Sequence, residues 1–153
     1  MDKLSKEKRS WNMARVHAKD TKPELLVRSV LHQEGYRFRL HARELPGIPD
    51  ILLPKYKTAV FIHGCFWHAH VNCRDSGIPM TRTTFWRNKI SENQERDRKN
   101  ISIVGQMGWR VAIIWECALK NAKATAKTVN ALDIWIKSGM NYLEIPDKSG
   151  EVN

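Results

Sequence analysis

The 153-residue chain lacks any run of about 18 apolar residues, the least that crosses a bilayer as a helix. Its opening MDKLSKEKRSWNM has no apolar core of the kind that marks a secretory signal. Cysteine is scarce and odd in number. Three residues cannot close a fully paired disulfide framework, so in a reducing compartment they read as free thiols or metal ligands. Internal repeats and low-complexity stretches are also missing. These absences lead to an expectation of one domain in a soluble, cytoplasmic protein with no membrane-spanning segment.

Acidic residues are short as well: 16 Asp and Glu face 26 Lys and Arg, a formal charge of +10 and a pI near 9.8. A 42% hydrophobic fraction still supports a packed interior. Excess positive charge draws in polyanions, and by composition alone both nucleic acid and acidic membrane surfaces qualify.

Residues 1–20 are basic and irregular, with Trp11 and Met13 among Lys8, Arg9, Arg15 and Lys19, and read as an arm. At Thr21-Lys22-Pro23-Glu24 an N-cap, a proline near the first turn and a capping-box acid start a helix, which Gly35 ends. YRFRL (36–40), DILL (50–53) and TAVFI (58–62) predict three strands joined by the turns LPGIP and PKY. A long polar helix fits 84–107, WRVAIIW (109–115) reads as an apolar central strand, and a last helix fits 122–137. The expected domain covers 21–140, an α/β fold with a central mixed sheet flanked by helices. Residues 141–153 are expected to form a C-terminal tail.

The densest chemistry lies in HGCFWHAHVNC (63–73), which holds three of the six histidines and two of the three cysteines. Cys65, His70 and Cys73 form C-x4-H-x2-C, and Cys117 follows the apolar strand. Thiolates and one imidazole suit tetrahedral Zn2+, and four protein ligands make a closed, structural site. The alternative is three buried cysteines that act as small hydrophobes. Asp50 opens a strand after a Pro/Gly turn, where a carboxylate either holds Mg2+ or shapes the turn. His63 and His68 lie outside the zinc set, and an imidazole there can take a proton from an attacking water or be an ordinary histidine. Glu24 is first a capping residue. Phe66, Trp67 and Trp86 either close the core or serve as rings that wedge between base pairs. On the long helix, Lys89 and Asn93 lie one turn apart, where they suit guanine and adenine edges or belong to a solvated charged face.

Taken together, NMARVHAKDTKPE, LPGIPD, VFIHGCFWHAH, TRTTFW, KISENQERDRKNI and GWRVAIIWECAL closely resemble the very short patch repair endonucleases of bacteria, over roughly residues 8 to 120. The resemblance implies a restriction-endonuclease-like core. It also implies an enzyme that nicks duplex DNA 5′ to the thymine of a T:G mismatch, the lesion left by deamination of 5-methylcytosine. By resemblance, Asp50 and the backbone carbonyl of Ile62 hold Mg2+. Ile62 stands where the family pattern has threonine. His68 activates the nucleophile, with Glu24 and His63 beside it, and Cys65, His70, Cys73 and Cys117 are the structural zinc ligands. One residue more than the pattern lies between His70 and Cys73, and Ala69 replaces a histidine, so the loop is expected to bow differently. Phe66, Trp67 and Trp86 match the aromatic wedge, Met13 an intercalating residue from the opposite side, and Lys89 and Asn93 base-contacting positions. The Asp/Glu-x-Lys half of the restriction-endonuclease motif is absent, since the strand after Asp50 reads TAVFIH. The resemblance further implies a bacterial monomer that associates with the nucleoid through DNA. It implies a functional link to a cytosine-5 DNA methyltransferase and to mismatch repair proteins. Two other readings stay open: a strand-specific nicking or restriction endonuclease of the same fold acting on matched DNA, and a non-enzymatic zinc-stapled DNA-binding module.

Overall fold

Thr21 sits in extended backbone and its hydroxyl accepts from the Glu24 amide, so helix α1 (Lys22–Gln33) starts where an N-cap followed by proline directs it. Val27 and Leu31, one turn apart, give α1 its buried face, and Gly35 takes the positive φ of 91° that lets the chain leave. The computed structural model describes residues 21–147. The basic arm with Met13, and the last six residues, lie outside the described part.

Five strands follow in sheet order: β1 (Arg39–Leu40), β2 (Ile51–Leu53), β3 (Thr58–His63), β4 (Arg110–Trp115) and β5 (Tyr142–Ile145). The first three form an antiparallel meander, whereas β3, β4 and β5 run parallel. Parallel neighbours need crossovers, and two helices supply them: α2 (Thr83–Gln106) between β3 and β4, and α3 (Ala122–Ile136) between β4 and β5. Period-two alternation splits the strands into two cores. Ile51, Leu53, Val60, Ala112 and Ile114 pack with α1 and α3 residues such as Val27, Leu31, Val129 and Leu132. On the other face Leu52, Ala59, Phe61, Val111 and Ile113 pack with Val104 of α2. Among the described residues the result is a mixed α/β architecture of one five-stranded sheet and three α-helices. No helix among the described residues is long and apolar enough to cross a membrane.

The helix, three strands, helix, strand, helix order is observed, with the strand expected over 36–40 reduced to Arg39–Leu40. The expectation of a C-terminal tail over 141–153 needs correction at residues 142–145, which form β5 beside β4, Val111 opposite Tyr142 and Ile114 opposite Ile145. This strand escapes sequence reading because it is short, lies at the sheet edge, and has Leu143, Glu144 and Ile145 all half-buried instead of alternating in and out.

Candidate active site and metal centre

Parallel pairing sets the position of the metal centre. His63, the last residue of β3, lies opposite Trp115, the last of β4. Cys65 and Cys117, two residues beyond each, therefore emerge side by side at the carboxyl edge of the sheet, the edge where open α/β sheets place their sites. The loop after β3 then delivers His70 and Cys73. The ligand atoms of Cys65, His70, Cys73 and Cys117 all lie within 4.8 Å of one another, and Cys117 Sγ is 3.5 Å from His70 Nδ1. The loop between His68 and Cys73 turns on left-handed backbone at Ala69 (φ 52°) and Asn72 (φ 56°). Ser76 Oγ fastens the loop by donating within reach of the His70 and Cys73 carbonyls, at 2.8 and 3.0 Å. Burial, together with the neighbouring Cys117, pushes the Cys65 thiol up. Three sulfurs and one imidazole nitrogen converging on a buried point are the donor chemistry of a four-coordinate zinc site, and the residues fit that ion.

Beside it opens a cleft of about 570 Å³ lined by residues from α1, the meander, the loop after β3 and α2. Two polar clusters face it. In the first, the His63 and His68 rings stack at 3.9 Å between centroids and 8° between planes, and His68 Nδ1 lies 2.5 Å from Asp97 Oδ2 on α2. A carboxylate accepts, so Nδ1 carries the hydrogen and the lone pair of the ring stays on Nε2. Burial first, and His68 second, hold His63 well below its usual value, so its ring is neutral at pH 7.

The second cluster brings Glu24, His41 and Asp50 together, their ligand atoms within 4.8 Å. Asp50 Oδ2 accepts from the Ile62 amide at 2.7 Å, a contact that follows from the β2–β3 register, where Ile51 faces Val60. Burial raises Asp50 to about 7, with the Glu24 carboxylate adding to the rise and the Ile62 N–H opposing it. Glu24 is buried, at 5% exposure. Its Oε2 accepts from Arg28 at 3.0 Å and lies 3.2 Å from His41 Nε2. The capping-box acid thus belongs to the cleft. Two crowded carboxylates, with the proton affinity of Asp50 raised by burial and by Glu24, are a donor set that a hard divalent cation fits, since its charge favours the ionised form.

Beyond the cleft's Trp67 side, Phe66, Trp67 and Trp86 form a three-ring group, edge to face with centroids 5.1, 5.4 and 5.6 Å apart, all half-buried. Asn93 corrects an expectation. It is 1% exposed, donates to the Trp67 carbonyl at 3.0 Å and accepts from Arg96 at 2.8 Å. Its amide is spent on holding the aromatic loop against α2 and does not lie on an open helix face. Lys89 is exposed.

Sequence reading missed Asp97 and the His41–Arg28 pair. Asp97 had a visible signal: Ile90, Asn93, Asp97, Ile101 and Val104 follow helical spacing. A carboxylate on the inward stripe of a helix asks for a partner. His41 had none, because its contact with Glu24 joins a loop to a helix 17 residues away.

The family model of the DNA mismatch endonuclease Vsr matches residues 1–74. The chain is 43% identical to the DNA mismatch endonuclease Vsr of Escherichia coli over 137 residues, 88% of this chain and 87% of that protein. It is 46% identical to the Type II nicking enzyme V.XorIIP of Xanthomonas oryzae over 133 residues, covering 86% of this chain and 97% of the relative. Against the Type II nicking enzyme V.NmeAIP of Neisseria meningitidis the identity is 45% over 139 residues, 91% and 99% of the two chains.

Proposed function

This chain belongs to the Vsr family of DNA mismatch endonucleases, and from that premise we propose that it nicks one strand of duplex DNA 5′ to the thymine of a T:G mismatch. The observation that carries this reading is one cleft faced by both a His68–Asp97 pair and a Glu24–Asp50 carboxylate pair, with Trp67 of the aromatic group on its wall. The core is that of a restriction-endonuclease-like fold, and the nick opens very short patch repair.

Asp50 and the Ile62 carbonyl would hold Mg2+, which when bound supplies charge neutralisation at the phosphate and the departing oxygen. The chain's own residues do the rest. Asp97 keeps the hydrogen of His68 on Nδ1, so Nε2 takes a proton from water. The resulting hydroxide attacks phosphorus, the bond from phosphorus to the 3′ oxygen breaks, and that oxygen is protonated from solvent. The products are a 3′-hydroxyl and a 5′-phosphate. Neutral His63 stacks on His68 and holds its plane without placing a second cation beside it, and Glu24 crowds Asp50 into the cation-binding position. Zn2+ on Cys65, His70, Cys73 and Cys117 would brace the loop that carries His68, Phe66 and Trp67.

Specificity follows from the rings. A T:G wobble pair stacks less well than T:A, so inserting Phe66, Trp67 and Trp86 there costs less unstacking energy. Lys89 then contacts bases from the exposed face of α2, and Met13 enters from the arm. DNA is the partner, bound by a monomer.

The relatives named as Type II nicking enzymes favour one second reading, a strand-specific nick in matched DNA. The experiment that tests the reaction is Mg2+-dependent conversion of a labelled T:G duplex to a single nicked product by the wild type and by Asp50→Ala. Nicking lost in the variant supports it, and binding by the wild type without any nick would sink the enzyme reading.

A further inference from the structure

The C-terminal strand touches the metal centre. His70 is almost fully buried, with its ring stacked flat on Trp115 at 4.1 Å between centroids and 8° between planes. Its Nε2 lies 3.1 Å from the carbonyl oxygen of Pro146, just past β5. A carbonyl oxygen only accepts, so Nε2 carries the hydrogen and the lone pair is left on Nδ1, the nitrogen beside Cys117 Sγ. The stacking partner is held from the same strand. Trp115 Nε1 donates to Glu144 Oε2 at 3.0 Å, and Tyr142 donates its hydroxyl hydrogen to Glu144 Oε1 at 2.7 Å. The Trp115 ring also meets His63 in a T-shaped contact, 5.2 Å between centroids.

We infer that β5 and the residue after it are part of the metal centre: the Pro146 carbonyl and the Glu144 carboxylate are positioning groups that set His70 to bind zinc through Nδ1. The inference rests on the reading of Cys65, His70, Cys73 and Cys117 as a zinc site. A backbone carbonyl on the far nitrogen of a ligating imidazole selects the tautomer, fixes the ring plane and raises the basicity of the ligating nitrogen. Glu144 acts one step further out by keeping the Trp115 ring from turning. Through Trp115 the same strand also braces His63, so the edge of the sheet supports both the metal centre and the cleft.

The test uses full-length, zinc-loaded protein labelled with 15N. Long-range proton–nitrogen correlations of the His70 ring are expected to show hydrogen on Nε2 and metal on Nδ1. Zinc competition against a chromophoric chelator is expected to give about a 10-fold weaker site in Glu144→Ala. In Glu144→Gln, which keeps an acceptor for the Trp115 N–H, affinity stays near that of the wild type. The visible spectrum of the Co2+-substituted protein should shift in Glu144→Ala alone. Hydrogen on Nδ1 with metal on Nε2, or a Glu144→Ala protein with unchanged zinc affinity and Co2+ spectrum, overturns the inference. A wild type that binds neither Zn2+ nor Co2+ overturns the zinc reading beneath it.

Discussion

Among single residues, His68 carries the sharpest expectation. A positioned general base contributes about 10² to 10⁴ in rate, so His68→Ala should lose nicking by at least about 100-fold while duplex affinity, measured by titration, stays within about 3-fold. Asp97→Asn tests the tautomer argument separately. An amide in place of the carboxylate can donate to Nδ1, which moves the ring hydrogen to Nε2 and blocks the base, so the loss should approach that of His68→Ala. Asp50 gives a pH dependence. Its folded value, about 7, lies above the 3.8 of a free carboxyl. A raised carboxyl stabilises the fold fully below pH about 4, and that contribution is lost as the pH rises through 7. Asp50→Asn mimics the protonated form. It should raise the melting temperature of metal-free protein at pH 8 and leave it little changed at pH 4, while abolishing the nick. Equal shifts at both pH values would contradict the burial and Glu24 repulsion assigned to this group.

At the scale of elements, the loop after β3 and helix α2 work as one unit. Asn93 joins them through the Trp67 carbonyl. Asn93→Ala removes that hydrogen bond and should cost about 1–3 kcal/mol of stability by thermal melting. It should also reduce the preference for T:G over T:A. Lys89→Ala should weaken binding to both duplexes with no change in melting. Equal loss of stability in both variants would remove the positioning role of Asn93. The elements also show where the sequence was readable. Local pattern was enough for α1, with Thr21 and Pro23 at its start, for the meander with its Pro/Gly turns, and for β4 with its apolar run. The Cys65, His70, Cys73 and Cys117 set was legible because cysteine and histidine are rare enough to be counted. The Glu24–His41 and His68–Asp97 pairings were not, since each joins residues from different elements: the inward-facing Asp97 asks for a partner without naming it, and His41 lies in a loop with no pattern around it. The strand β5 was hidden because its residues gain their meaning only from β4 and from His70, far away along the chain.

For the whole molecule, a charge of +10 on 153 residues makes the phosphate backbone the main source of affinity. Binding to matched duplex should fall steeply and linearly on a log–log plot against salt. The ratio of T:G to T:A nicking should change little with salt, because the proposed wedge would act through stacking. Removing zinc with a chelator should lower the melting temperature and the nicking rate together, since the same ion would hold the aromatic loop and the His68 backbone. The two clusters in the cleft, the aromatic group and the metal centre all gather at the carboxyl edge of β3 and β4. The sheet register thereby links fold to reaction. The most direct test of the whole account is the rate of Mg2+-dependent nicking on two labelled duplexes that differ only in T:G against T:A at one position. The account predicts a single nick 5′ to the mispaired thymine, at least about 10-fold faster than on T:A, as a stacking difference of about 1.4 kcal/mol or more would give. Equal rates on the two duplexes would contradict it.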